Sequence, residues 1–384
     1  ILKPHIRHPR TVHVVGTNGK GSTGRIIAHL AAKSGLSVGH FSSPHILKFN
    51  ERIWLNGADS SDSLLEEAHQ RLCTILGEEM SNKFSYFDYT TLLAFIVFEE
   101  CDLMFLEAGL CGEFDATNVC DKELSVITPI GIDHQAFLGE TIEEIASTKI
   151  RSIQKQVLLA PQVYAEVIEV AREIAQQRDA ELFLINNRET RHSELDSESH
   201  QHPNTILKQG EILKRVQDDV NEIAKQKGWG EYLIQNASVA LKALDILSIV
   251  YDINDLNTLE LFGRFYPWRD NVRIDVGHNP LAAKAIEKAL DNKVVLIYNS
   301  LDDKDYEAVL NILKPKIKRI EIIPIHSQRA TTLHEIEKAA KNVGIPYDYF
   351  EGSIDEEEEY LIFGSFYVVE EFLNRMQEKN NVPK

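Results

Sequence analysis

Residues Thr11 to Thr23 read T-V-H-V-V-G-T-N-G-K-G-S-T, and this stretch decides the fold. A short β-branched run, Val12 to Val15, breaks into Gly16-Thr17-Asn18-Gly19-Lys20-Gly21-Ser22. Ile26, Ile27, Leu30 and Ala31 then recur at helical spacing. Strand, glycine-rich turn and helix make the geometry that holds a polyphosphate. Glycines let backbone N–H groups approach the phosphates, the helix N-terminus adds partial positive charge, and a lysine neutralises the β and γ oxygens. The spacing departs from G-x-x-x-x-G-K-[ST]. Val14 stands where the first glycine would be, and Gly21 separates Lys20 from Ser22.

Outward from this turn, the 384 residues are enough for two domains, and 43% hydrophobic with 26% charged residues is ordinary for a globular chain. No apolar run approaches the ~20 residues of a membrane span. No signal peptide precedes the first strand, so a cytoplasmic protein without membrane contact is expected. Cys73, Cys101, Cys111 and Cys120 show no CxxC pairing or metal-ligand spacing, and reduced thiols are expected. The chain opens on Ile1 rather than Met, with the phosphate strand following almost at once, so a further upstream segment is expected. A net charge of −18 argues against a nucleic-acid partner. The first fifty residues nevertheless hold seven Lys or Arg and no Asp or Glu, which suits a small polyanion such as ATP or a carboxylate-rich substrate.

Further along, apolar strands alternate with helical patterns: Val38 near F-S-S-P-H, Leu103 to Leu106, Leu124 to Ile127 and Gln156 to Leu159 are strands, with helices at Leu64 to Leu76 and Tyr89 to Glu100. Strand–helix alternation predicts a P-loop, doubly wound, mainly parallel α/β sheet, whose ligand site lies beyond the carboxyl ends of the strands. Gly19 to Ser22, Ser43, Glu107 and His134 each fall just after such a strand. Residues 186–230 are polar and charged and read as an exposed, partly disordered insertion with a short polar helix-like piece, I-L-K-R-V-Q-D-D-V, and with His192, His200 and His202 not counted as a metal site. The first domain is placed at 1–257. A smaller Rossmann-like α/β domain follows at 258–384, ending in a strand Tyr360 to Tyr367; it has no G-x-G-x-x-G and so no expected dinucleotide role.

Taken together, G-T-N-G-K-G-S-T, S-S-P-H with E-R-I, the stretch from Glu107 to D-A-T-N-V, G-I-D-H with L-G-E-T, G-R at 263, D-V-G-H-N-P from 275, D-K-D from 303 and G-S-F-Y from 364 resemble the folate branch of the Mur ligase family. That branch contains folylpolyglutamate synthase and dihydrofolate synthase, often as one bifunctional bacterial enzyme. The resemblance spans nearly the whole chain outside 186–230. It implies an ATP-dependent amide ligase that adds L-glutamate to dihydropteroate or to a reduced folate through an acyl phosphate, as a monomer. Positioning and charge neutralisation suffice for this chemistry, so no Ser-His-Asp or Cys-His arrangement is needed.

Residue by residue, the resemblance implies that Gly19, Lys20, Gly21 and Ser22 cradle the phosphates. Asn236, Arg264, Asp275 and His278 would supply further ATP contacts. Ser43 and Glu107 match ligands of one Mg²⁺, and His134 matches a ligand of a second. Lys149 matches a lysine that the family carbamylates to N6-carboxylysine, although this chain continues Lys149-Ile150-Arg151 where K-A-G is usual. Lys20, His134 and Lys149 are the implied catalytic residues. Ser85-Tyr86-Phe87-Asp88 and Phe114-Asp115-Ala116 match the pterin side, where an aromatic ring stacks and a carboxylate accepts from the amino-pyrimidine. Two other readings stay open: a Mur-type ligase acting on another acid, and an inactive relative that binds nucleotide only.

Overall fold

The computed structural model describes Leu2 and residues 5–185 and 218–381. Two sheets organise it. The first carries β1 (Arg10–Val15), β2 (Val38–Phe41), β3 (Ile53–Leu55), β4 (Ala58–Asp59), β5 (Leu103–Glu107), β6 (Leu124–Ile127), β7 (Gln156–Leu159) and β8 (Glu181–Leu184). Their spatial order is β4-β3-β2-β5-β1-β6-β7-β8, parallel except for the antiparallel edge β2-β3-β4. In the centre, Val14 of β1 lies in register with Glu107 of β5 and Val126 of β6. The chain order reverses around β1, and an open parallel sheet binds ligands beyond the strand ends at such a switch point.

The first sheet's helices are α1 (Lys20–Lys33), α2 (Asp62–Leu76), α3 (Glu78–Ser81), α4 (Tyr86–Phe98), α5 (Gln135–Leu138), α6 (Ile142–Ile150), α7 (Ala165–Gln177), α8 (218–227) and α9 (Glu231–Ile246). The apolar positions read from the sequence on α1, Ile26, Ile27 and Leu30, are fully buried in one cluster with Val12, Val14 and the α9 residues Leu233, Ala237 and Leu241. Gly24 lets α1 lie against β2, because a Cβ there would come within 2.7 Å of His40 Nε2.

The second sheet has the order β13-β12-β11-β14-β10-β9, from β9 (Tyr266–Arg269), β10 (Val272–Ile274), β11 (Val294–Tyr298), β12 (Ile317–Ile322), β13 (Tyr347–Tyr349) and β14 (Tyr360–Phe363). Helices α10 (Pro280–Ala289), α11 (Tyr306–Leu313), α12 (Leu333–Val343) and α13 (Phe366–Asn381) cover it. All its pairs are parallel except β9 with β10. Among the described residues, no helix is long and apolar enough to cross a membrane.

Three segments differ from the sequence expectation. Tyr360 to Tyr367 is not one strand: β14 stops at Phe363, Gly364 turns at φ 128, and α13 begins at Phe366. Helix α4 begins at Tyr86 rather than Tyr89, because Ser85 and Asp88 form a capping box. Of the expected exposed insertion, residues 186–217 and their three histidines lie outside the described residues. Residues 218–227 are helical and, unlike the expected exposed piece, are buried on one face: Val220 and Ile223 join the cluster around β1 and α9, and Ala224 is buried as well. Three apolar residues at helical spacing in I-L-K-R-V-Q-D-D-V-N-E-I-A were diluted by the charged residues that cover the other face.

Candidate active site between the two sheets

A cavity of about 950 Å³ opens between the carboxyl ends of the first sheet and the loops of the second. Gly16 to Ser22, Ser43, Glu107, His134, Lys149, Asn236, Arg264, Asp275 and His278 all line it. Every residue expected from the resemblance to hold nucleotide or metal therefore faces one space. The strand ends bring these residues together, since β1, β5 and β6 are neighbours and each releases its loop at the same edge.

The glycine-rich turn at 16–22 is built for a close approach. Gly19 takes a left-handed conformation (φ 84), and a Cβ there would stand 2.8 Å from Asn236 Oδ1. The first turn of α1 leaves backbone N–H groups without intrahelical partners; no side chain caps them and no acidic residue stands nearby on the helix. Lys20 folds back on its own turn, donating to the carbonyls of Gly16 (3.2 Å) and Thr17 (3.1 Å). Asn236 donates to Ser22 Oγ at 2.8 Å, which fixes α9 to the turn.

Glu107 is buried at the end of β5, and burial raises its carboxyl above the usual range, with Lys20 and Arg264 opposing. Its Oε2 accepts from the Ser43 backbone N–H at 3.3 Å. The Ser43 loop, with a cis Ser43–Pro44 bond, is shaped by Glu51, which accepts from the backbone N–H groups of Ile46, Leu47 and Lys48 at 2.7–2.8 Å. Among the described residues no three His, Cys, Asp or Glu side chains converge as a metal cluster. A buried carboxylate beside a serine loop instead fits an ion such as Mg²⁺, which keeps waters and takes the rest of its oxygens from bound phosphates.

Lys149, on α6, is buried and donates to the carbonyls of Gly16 (3.1 Å) and Leu110 (2.7 Å). Burial pushes its amine down to about 7, with Lys20 adding to the effect. His134 caps α5 in a left-handed conformation (φ 54) that non-glycine residues rarely adopt. Burial takes its imidazole down to about 4 despite the neighbouring Asp133. Asp275 accepts from Tyr232 Oη, Phe265 N and Gly277 N, each at 2.8 Å, so a residue of α9 is tied to the second sheet. The Arg264 guanidinium stacks over Phe366 at 5.3 Å.

The residues matched to the pterin side are more dispersed. Phe87 does not line the cavity but lies behind the cavity-lining Gly109, where a Cβ would come within 2.6 Å of its ring. Tyr86 is exposed, under the cavity-lining Arg52 at 5.4 Å. Ser85 and Asp88 are engaged with each other at the start of α4. Asp115 accepts from Leu110 N and Thr117 N, shaping the loop after β5; Ala116 follows it there, and Phe114 stands exposed. Sequence reading gave no role to Asp133, Asn279 or Lys304. Asp133 Oδ1 accepts from Lys304 Nζ at 2.7 Å, and its Oδ2 from Asn279 Nδ2 at 3.1 Å. Burial works against its charge, but His278, Lys304 and His134 outweigh that and hold its carboxyl well below the usual range. The available signal was a carboxylate directly before a candidate ligand histidine, in G-I-D-H.

No protein-family model matches the chain. Among curated proteins, it is 29% identical to the dihydrofolate synthase/folylpolyglutamate synthase of Haemophilus influenzae, covering 95% of this chain and 88% of that protein. Among solved structures, it matches the Helicobacter pylori folylpolyglutamate synthetase with 37% identity and a TM-score of 0.72, covering 97% of this chain and 90% of that one. The chain belongs to the folylpolyglutamate synthase/dihydrofolate synthase family. A further structure, Escherichia coli FolC in complex with DHPP and ADP, matches at 25% identity and a TM-score of 0.76, covering 97% of this chain and 90% of that one. The two-sheet architecture of this chain is thus that of the Mur ligases, and the family is one of ATP-dependent ligases.

Proposed function

We propose that this chain joins L-glutamate to the carboxylate of dihydropteroate, of a reduced folate, or of both, at the expense of ATP. The observation that carries this reading is the single cavity in which the uncapped phosphate turn, the buried Glu107 and the second sheet's loops face one another. An oxygen of the acceptor carboxylate attacks the γ-phosphorus, and the bond to ADP breaks. The glutamate amine then attacks the acyl phosphate, loses a proton, and phosphate leaves with the new amide formed. Both steps build negative charge on oxygens, which fixed cationic and N–H donors stabilise without reorganisation.

In this reading Gly19 to Ser22 bind the phosphates, with Lys20 swinging from its two carbonyl partners onto the transferring group. Asn236, Arg264, Asp275 and His278 enclose the rest of the nucleotide. Ser43 and Glu107 would hold one Mg²⁺, and His134 with N6-carboxylated Lys149 a second; the ions supply charge neutralisation of the phosphates. Phe87 and Tyr86, with the Phe114-Asp115-Ala116 loop, offer ring faces and polar groups to a pterin. Both sheets of one chain enclose the site, which supports a monomeric enzyme. The test is ADP release from ATP with dihydropteroate plus glutamate, with tetrahydrofolate plus glutamate, and with neither. Release dependent on either pair supports the reading and names the acceptor. Release independent of all acceptors, or none at all, sinks it.

A further inference from the structure

We propose that Asp133 is a positioning residue that registers the second sheet's loops on the phosphate turn; this rests on the ligase reading above. Asp133 follows β6 in the first sheet, yet two of its side chain's three hydrogen bonds come from the second. Lys304, from the loop after β11, donates to Oδ1 at 2.7 Å, and Asn279, from the loop after β10, donates to Oδ2 at 3.1 Å. His278 Nε2 stands 3.8 Å from the same carboxylate. The third bond, from the His134 backbone N–H at 2.9 Å, fixes the carboxylate on its own loop.

The pair is enclosed: the side chains of Lys304 and Asp133 are 3% and 8% exposed. A buried ammonium needs a partner of opposite charge. The other carboxylate near Lys304 is Asp303 at 3.5 Å, which is more exposed and already bound by Arg329 at 2.6 Å. Asp133 is therefore the principal counter-charge of Lys304. Asn279 adds direction. Its Oδ1 caps α10 by accepting from Ala282 N at 2.9 Å, while its Nδ2 reaches Asp133, so one amide both starts a helix and anchors it to the other sheet. Its amide also faces that of Asn18 in the phosphate turn at 2.9–3.0 Å. Asn18, Asn279, Asp133 and Lys304 form one polar junction, and it sets how far His278 and Lys304 stand from Lys20 across the cavity.

The junction is tested with Asp133→Asn, which keeps shape and removes charge, with Lys304→Met, and with the double variant. In ligand-free protein, hydrogen exchange at residues 277–284 and 300–306 should speed up in both single variants while the strand cores stay protected. The value of kcat should fall roughly tenfold or more, as for misplacement of reacting groups, and the double variant should be no worse than the poorer single one. Unchanged exchange at both segments, additive losses, or lowered thermal stability with kcat intact would each overturn the proposal. If the wild-type chain shows no ligase activity, the exchange measurement still decides the junction. If Asp133→Asn fails to fold by circular dichroism, Lys304→Met carries the test.

Discussion

The Lys149 side-chain amine donates to the carbonyl oxygen of Gly16 at 3.1 Å, joining α6 to the first glycine of the glycine-rich turn. With its amine pushed down to about 7 by burial, a large fraction is neutral at neutral pH. Only the neutral amine attacks CO₂, forming a carbamate and releasing a proton. We expect Lys149→Ala to lose most activity and the wild-type enzyme to weaken when bicarbonate and CO₂ are stripped. Near-full activity of Lys149→Ala in bicarbonate-free buffer would reject the carbamate and mark Ile150-Arg151 as a real divergence.

Lys20→Ala should abolish turnover and leave the fold intact. In the structure the Lys20 side chain donates its hydrogen bonds to carbonyls of its own turn, so its loss empties no apolar core position. Its effect belongs to the charge that develops on the transferring phosphoryl group. A folded variant with full kcat would show that the turn does not hold the reacting phosphate.

Ser85→Ala should cost about 1 kcal/mol of stability through the lost helix cap, with the KM for the pterin substrate little changed. The side chain accepts from Asp88 N at 3.1 Å and donates to Asp88 Oδ2 at 2.7 Å, which leaves it occupied at the start of α4. A large rise in KM with unchanged stability would return Ser85 to the substrate site.

Ile223→Ala should destabilise by about 2 kcal/mol or more, the usual cost of emptying a buried aliphatic position. Ile223 packs in the same cluster as β1 and α9 although its surrounding sequence is polar. Urea titration showing no loss of stability would mean that residues 218–227 do not belong to the core.

Acid should destabilise the protein through His13. Its imidazole is buried in β1, with Nε2 against Thr117 Oγ1 at 2.8 Å, and burial lowers it to about 3 with Lys122 adding to the effect. The unfolded chain binds a proton near pH 6.5 and the folded one only near 3, so stability is complete above the higher value. It is lost as pH falls through that window. His13→Gln should flatten the fall in melting temperature between pH 6.5 and 3; an unchanged slope would assign the acid transition elsewhere.

The sequence by itself determined the strand, glycine turn and helix that open the first sheet. A β-branched run, a glycine turn and an amphipathic helix are local, and they name Gly19 to Ser22 without reference to any distant residue. Parallel strands release their loops at one edge, so Ser43, Glu107 and His134 could be assigned to one site from strand order alone. Helix α2, at Asp62–Leu76, was likewise legible, because its apolar positions Leu65, Ala68 and Leu72 recur at helical spacing and are buried. Other features were not local. The burial of residues 218–227 depends on a cluster supplied by β1 and α9, and charged residues on the outer face mask it. The end of β14 depends on Gly364, whose backbone meets Asn299 so closely that a Cβ would stand 2.0 Å from its carbonyl oxygen. The junction of Asp133 with Lys304 joins residues 171 positions apart. Only the tertiary structure decides it, because a charge pair has no periodicity to read and acquires its strength from the burial that folding creates.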